Sequence, residues 1–397
     1  MQRVYLDNAA TTPMHKEVID TMTQCMHNIY GNPSSTHVFG REAKAQMELS
    51  RKKIAELLNV SSSEIVFTSC GTESNNFIIR SCVDHLGVTR IITSTLEHKC
   101  VQETVAEMES NRKVEVIRVK LDPSGSVDYD ELERILQVSD KKTLVTLMHA
   151  NNEIGNLLDV EKVQQLCEEN NALFHTDTVQ TLGHYPMDLS KLKIDFASCS
   201  AHKLHGPKGI GFAFVRKSLQ FKPQITGGGQ ERNLRSGTEN VYGVVGLAKA
   251  FEMSLNDLDK HRAHIEDLKS YTIQKLQEEI PGVEFNGLSA DLDKSLYTVL
   301  NVRLPFKDAL IGFELELKGI AVSQGSACSS GASKVSTVIQ SVLDAETIER
   351  ITPVRVSYSC YNTREDIDRL VNVIKQISEK HLVAHYTFKC HSDEGGI

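Results

Sequence analysis

Between about residue 40 and residue 255, short apolar, β-branched runs alternate with amphipathic stretches of helical period, and this alternation is the feature that most constrains the fold. Strands joined through helices build a mostly parallel sheet with helices on its faces. The runs at 64–68, 90–94, 114–119, 143–148, 172–175, 195–200 and 211–215 predict seven strands of one large α/β domain. A glycine run at Gly227, Gly228 and Gly229 follows, and then a charged helical segment at about 255–279 bridges to a second unit. That unit is expected to be a smaller C-terminal α+β domain, with strands at 295–302 and 355–359 and helices near 306–318 and 364–380. Because 397 residues exceed the usual size of one core, two packed units are the natural division. The expected boundaries are 15–255 for the large domain, 1–14 with 256–383 for the small one, and a mobile tail at 384–397.

Composition narrows the function. A net charge of −8 leaves no basic excess to neutralise phosphates, which argues against direct nucleic-acid binding. No apolar run is long enough to span a bilayer and no leader precedes Val4, so a cytoplasmic protein with no membrane association is expected. Nine cysteines without a single CxxC pair give no zinc-ribbon spacing and suggest a reducing compartment in which most thiols are buried. Internal repeats are absent, as are Walker A, HExxH, GxSxG and GxGxxG motifs.

The residues that can carry chemistry sit at predicted strand ends, where open α/β sheets bind ligands. Lys203, in Ser200-Ala201-His202-Lys203, lies on a tight loop between two strands, and a lysine there can form a Schiff base with a carbonyl cofactor. By itself it would more often be a surface lysine beside a Gly-Pro turn. Asp177 closes the run ahead of Thr178 and can pair with a protonated pyridine nitrogen; a helix N-cap is the plainer account. The turn Thr68-Ser69-Cys70-Gly71-Thr72 before a helix offers amides and hydroxyls for a phosphate, or simply a capping box. His98 can stack on an aromatic ring and carry protons, or be an ordinary loop residue, and Asn151 and Asn152 can be turn formers. Finally, Gly325-Ser326-Ala327-Cys328-Ser329-Ser330-Gly331 holds one cysteine among small polar residues, which suits a moving nucleophile able to carry a persulfide.

Taken in order, these segments resemble the cysteine desulfurases, pyridoxal-phosphate enzymes of the class V aminotransferase group. Other landmarks are Tyr5 to Pro13, Gly31-Asn32-Pro33, Glu97-His98-Lys99, Arg235-Ser236-Gly237-Thr238 and Ser326-Ala327-Cys328. The resemblance implies a fold-type I large domain and pyridoxal 5′-phosphate as cofactor. It implies that Lys203 holds the cofactor as a Schiff base, Asp177 meets the ring nitrogen, His98 stacks on the ring and acts in catalysis, and Gln180 approaches the phenolic oxygen. It also implies a phosphate cup of Gly71, Thr72, Ser200 and His202, completed by Thr238 from the second subunit of a homodimer. Asn152, at the cofactor, and Arg355 would hold the substrate carboxylate, for which a guanidinium fork is suited. L-cysteine would yield L-alanine and a persulfide on Cys328, in the branch with a mobile cysteine loop. The sulfur would pass to an iron-sulfur scaffold or a thiolation enzyme. No resident metal is expected, although Cys328 could transiently ligate an iron-sulfur cluster. The chain departs from the family pattern at Cys70, at Ser333 to Val338 and at Ser359-Cys360.

Transaminases, selenocysteine lyases and cysteine-sulfur lyases share the scaffold, and Cys328 is what separates them from a desulfurase. A decayed homologue acting only as a binding partner would lack Lys203 or Asp177, and both are present.

Overall fold

A computed structural model describes residues 3–138, 140–219, 221–324 and 335–393, with side chains described as far as His381. Cys328 lies outside the described residues. The chain starts with a short strand, β1 (Val4–Tyr5), and then forms β2 (Ile65–Thr68), β3 (Arg90–Thr93), β4 (Glu115–Arg118), β5 (Thr143–Thr146), β6 (Leu173–Asp177), β7 (Phe196–Ser200) and β8 (Gly211–Val215). These last seven are the expected strands, and they join one sheet in the order β2-β8-β7-β6-β5-β3-β4. All neighbours run parallel except β8, which is antiparallel to both β2 and β7.

Every residue of β2, β3, β5, β7 and β8 is buried. That is why these strands read as continuous apolar or small runs rather than alternating ones: helices cover both faces of the sheet. Two apolar clusters fill those faces. One gathers Ile54, Phe67, Val145, Phe174 and Phe212 with the helices Val38–Leu57 and Val241–Asn256; the other gathers Ile78, Ile91, Val105 and Phe196 with the helices Gly71–Asp84 and Lys99–Arg112.

From β3 the chain moves outward to β4, then returns to the other side of β3 and proceeds through β5, β6 and β7. The order therefore reverses between β3 and β5, and the crevice outside the carboxyl ends of strands at such a switch is where a ligand fits.

A separate apolar cluster forms the second core. It holds the antiparallel sheet of β9 (Glu284–Phe285), β10 (Val299–Leu304) and β12 (Thr352–Ser357), ordered β12-β10-β9. The helix Leu258–Glu279 packs Ile265, Leu268, Thr272 and Leu276 against it, a spacing that puts them on one face. Strand β11 (Ile320–Ala321) pairs in parallel with β1, so the start of the chain belongs to this second core. The last helix, Arg364–Asp393, runs past residue 380 into the stretch expected to be a tail, and the short strands β9 and β11 carried no sequence signal.

Candidate active site

The carboxyl ends of the central strands open on a cavity of about 670 Å³. Its lining brings together Gly71, Thr72, His98, Asn152, Asp177, Gln180, Ser200, His202, Lys203 and Arg355, which the sequence places as far as 284 residues apart but the topology collects at one sheet edge. Thr238 does not line it; within a single chain it borders a separate cavity of about 140 Å³ beside Arg235 and Gly237.

Asp177 is the final residue of β6 and is buried. Its carboxylate accepts from Asn75 Nδ2 at 2.7 Å, from the Val179 N–H at 2.9 Å and from Ser198 Oγ at 3.2 Å. It caps no helix. Three donors fix the carboxylate in one orientation, and two of them come from other elements, a degree of positioning beyond what a strand end needs.

Lys203 ends the single 3₁₀ turn Ala201–Lys203 that follows β7 directly. Its Nζ donates to the Ala9 carbonyl and, at 2.9 Å, to that of Ala10. The turn is pinned to the N-terminal segment by the Thr12 N–H, which donates to the His202 carbonyl at 2.9 Å. Gln180 Nε2 also donates to the Ala9 carbonyl, at 3.1 Å.

His98 is the N-cap of the helix Lys99–Arg112: its Nδ1 accepts the Cys100 N–H at 3.2 Å. That leaves Nε2 carrying the proton of the neutral ring. Burial lowers its pKa and the Lys203 charge adds to this, against the opposing pull of Asp177. His202, with Nδ1 3.1 Å from Thr11 Oγ1, is pushed down to about 4 by burial, with Lys203 and Lys208 contributing.

The helix Gly71–Asp84 begins at the cavity wall directly after β2. A Cβ on Gly71 would stand 2.5 Å from Val179 Cγ2, so only glycine lets the helix start approach that strand end. Ser200 Oγ is buried with no hydrogen-bond partner among the described residues. Arg355, on β12, is 2% exposed; Nη2 pairs with Asp7 Oδ1 at 2.7 Å and Nη1 donates to the Asn152 carbonyl at 3.0 Å. Asn151, by contrast, is a turn former: its Oδ1 accepts the N–H groups of Glu153 and Ile154.

Several lining residues were given no role of their own by the sequence reasoning. Glu97 is buried beside Asp177, accepts from the Met148 N–H and Ser94 Oγ, and is pushed up to about 8, chiefly by burial. Asn75 orients Asp177. Cys100, its thiol pushed up to about 12 by burial, and Cys70 also line the cavity. Their positions after strands were visible, but nothing in the residue types distinguished them from ordinary polar loop positions.

The segment 325–334 is bracketed by the site. Ser323 forms a bridge with Arg355, and Val335, Ser336, Thr337 and Val338 line the cavity.

Residues 4–370 match the family model described as aminotransferase class-V, and the chain belongs to that family. Within it, the chain belongs to the cysteine desulfurases. It is 39% identical to the cysteine desulfurase IscS of Dictyoglomus turgidum over 383 residues, 96% of this chain and 95% of the relative. Among solved structures it is similar to a NifS-like protein, with a TM-score of 0.86 and 38% identity over 95% of this chain and 99% of the other. It is also similar to SspA in complex with cysteine, with a TM-score of 0.77 and 30% identity over 91% and 100% of the two chains.

Proposed function

We propose that this protein is a pyridoxal-phosphate-dependent cysteine desulfurase that converts L-cysteine to L-alanine and collects the sulfur on Cys328. The observation that carries this is the convergence of Lys203, Asp177, His98 and Arg355 on one cavity that is also lined by Val335 to Val338, the residues that follow the Cys328 segment.

The residues present fit the cofactor. The partnerless Ser200 Oγ, the helix start at Gly71 and His202 form a seat for its phosphate. Lys203 would hold its aldehyde carbon, and Asp177 its ring nitrogen. Bound there, the cofactor supplies an electron sink that eases proton loss from the substrate α-carbon. Three donors hold the Asp177 carboxylate in one orientation, in which it would meet the ring nitrogen. His98, neutral and capping its helix, presents a flat ring and one N–H. Arg355 and Asn152 orient the substrate carboxylate, which takes the guanidinium from Asp7. Lys203, whose amine lines the cavity, would be the base that moves the α-proton.

Cys328 stands four residues beyond Gln324 in the chain. Its thiolate attacks the substrate sulfur, the carbon–sulfur bond breaks, and that bond's electron pair stays on carbon, which is then protonated. Cysteine and one thiol thereby become alanine and one persulfide, with no external oxidant. A second thiol can take the outer sulfur by exchange; a sulfur-acceptor protein is the expected partner. The position of Thr238, away from the cavity of its own chain, supports a homodimer in which each subunit completes the other's phosphate seat. Among the described residues no helix is long and apolar enough to cross a membrane, and we place the enzyme in the cytoplasm.

The test compares wild type, Lys203→Ala and Cys328→Ala for visible absorption and for alanine and sulfide formation from L-cysteine with dithiothreitol. Alanine formation that needs both residues is expected. Full turnover by Cys328→Ala would instead indicate a lyase that forms no persulfide.

A further inference from the structure

On the side of Lys203 facing the second core, one ring nitrogen of His15, one of His205 and the Cys360 thiol all lie within 4.8 Å of one another. We propose that these three side chains bind a zinc-like divalent cation that clasps the second core to the central sheet.

The donor set points that way. Imidazole nitrogen and thiolate sulfur together suit zinc, and donors around one tetrahedral zinc ion stand roughly 3.3–3.7 Å apart. Cys360 Sγ is already 4.0 Å from His205 Nε2, so that pair closes by roughly 0.5 Å and no pair of the set by more than about 1.5 Å. The outer contacts are those a metal-binding histidine uses. His205 Nδ1 is 2.7 Å from the Pro13 carbonyl, which directs the proton to that nitrogen and leaves the Nε2 lone pair toward the thiol. His15 Nδ1 is 2.6 Å from the Tyr361 hydroxyl, which fixes its ring. The two imidazoles are buried and stacked, 4.4 Å between centroids.

His205 also adopts a φ of +61°, in the left-handed region that most side chains avoid. Such a conformation persists where the surroundings impose it. Here it turns the ring toward Cys360. A cavity of about 20 Å³ lined by His205, His261 and Cys360 adjoins two of the three ligands, with room for one water that could serve as a fourth. Binding would release the Cys360 proton to solvent, since the thiolate is the ligand.

The three ligands come from separate places. His15 caps the helix Lys16–Asn28, His205 follows the Lys203 turn, and Cys360 follows β12. An ion held by all three joins the second core to the loop that carries Lys203.

The holoenzyme, stripped of metal, would be titrated with Co²⁺ and then Zn²⁺, reading the red-region absorption of tetrahedral cobalt, clear of the cofactor's band. The expected result is a stoichiometric cobalt signal displaced by Zn²⁺, retained in Cys328→Ala. In Cys360→Ser and His205→Gln the affinity should fall at least roughly tenfold, the size that losing even an outer contact commonly costs. Zn²⁺ should raise the thermal midpoint of the wild type and not that of Cys360→Ser. If Cys360→Ser does not fold, His15→Gln serves in its place. No tetrahedral signal, or one abolished by Cys328→Ala and untouched by Cys360→Ser, would overturn the assignment.

Discussion

Glu97 gives a quantitative test of how the site is wired. Its carboxyl is 2% exposed, one oxygen accepts from the Met148 N–H and Ser94 Oγ, and the other has no partner among the described residues. Burial, with the charge of Asp177, moves its pKa from the ordinary 4.5 to about 8. Between those values the folded protein keeps a proton that the unfolded chain releases. The stability Glu97 contributes is therefore full below pH 4.5, falls as pH rises and levels off above about 8. At 1.36 kcal/mol per pH unit the whole effect has a ceiling of about 5 kcal/mol, of which about 3 kcal/mol falls between pH 5.5 and pH 8. Glu97→Gln keeps the shape, removes the titration and adds an N–H without an acceptor, at a cost of about 1–3 kcal/mol that does not vary with pH. Thermal midpoints of both holoenzymes across that range check this. In a chain of this size each kcal/mol moves the midpoint by roughly 1–2 °C, so the variant should gain roughly 3–6 °C on the wild type as pH rises. A gap that stays constant across the range would mean that Glu97 is ionised throughout, and the reasoning from its burial would be refuted.

Two further substitutions probe the cavity wall. Arg355→Lys replaces a fork by a single ammonium, and losing one charged hydrogen bond, worth about 1.5–3 kcal/mol, should raise KM for L-cysteine roughly 10–150-fold with a smaller change in kcat; an unchanged KM would remove Arg355 from carboxylate binding. Gly71→Ala places a Cβ 2.5 Å from Val179 Cγ2, so stability should fall by about 1–3 kcal/mol and recover in the double variant with Val179→Ala, as chemical unfolding would register.

The large sheet was legible because five of its seven strands are buried on both faces: runs such as 143–148 and 211–215 have no polar alternation to confuse with a helix. Strand order was not legible, since nothing local tells β8 to insert antiparallel between β2 and β7. The positions of Asp177 and Lys203 were readable as strand ends, yet that Asn75 would orient Asp177 required knowing that a helix starting at Gly71 lies across from β6. Glu97 looked like any loop glutamate; its burial is a property of the assembled crevice. The cluster of His15, His205 and Cys360 was invisible for the same reason, its members being spread over 346 positions of the chain.

The first dozen residues thread between the two cores. The Leu6 N–H reaches the Ala321 carbonyl, Asn8 Nδ2 reaches the Ser357 carbonyl 349 residues away, and Ala9 and Ala10 receive Lys203. On the ribosome these residues emerge before all of these partners, and Ser357 comes 349 residues after Asn8. At about 5–20 residues per second, the segment waits on the order of 20–70 s before Ser357 exists. The central sheet can assemble in that interval, but the floor under Lys203 cannot. A nascent chain thus lacks the complete surroundings of Lys203 until β12 has been made, and one truncated before β12 would keep a folded sheet while its lysine lacked its seat.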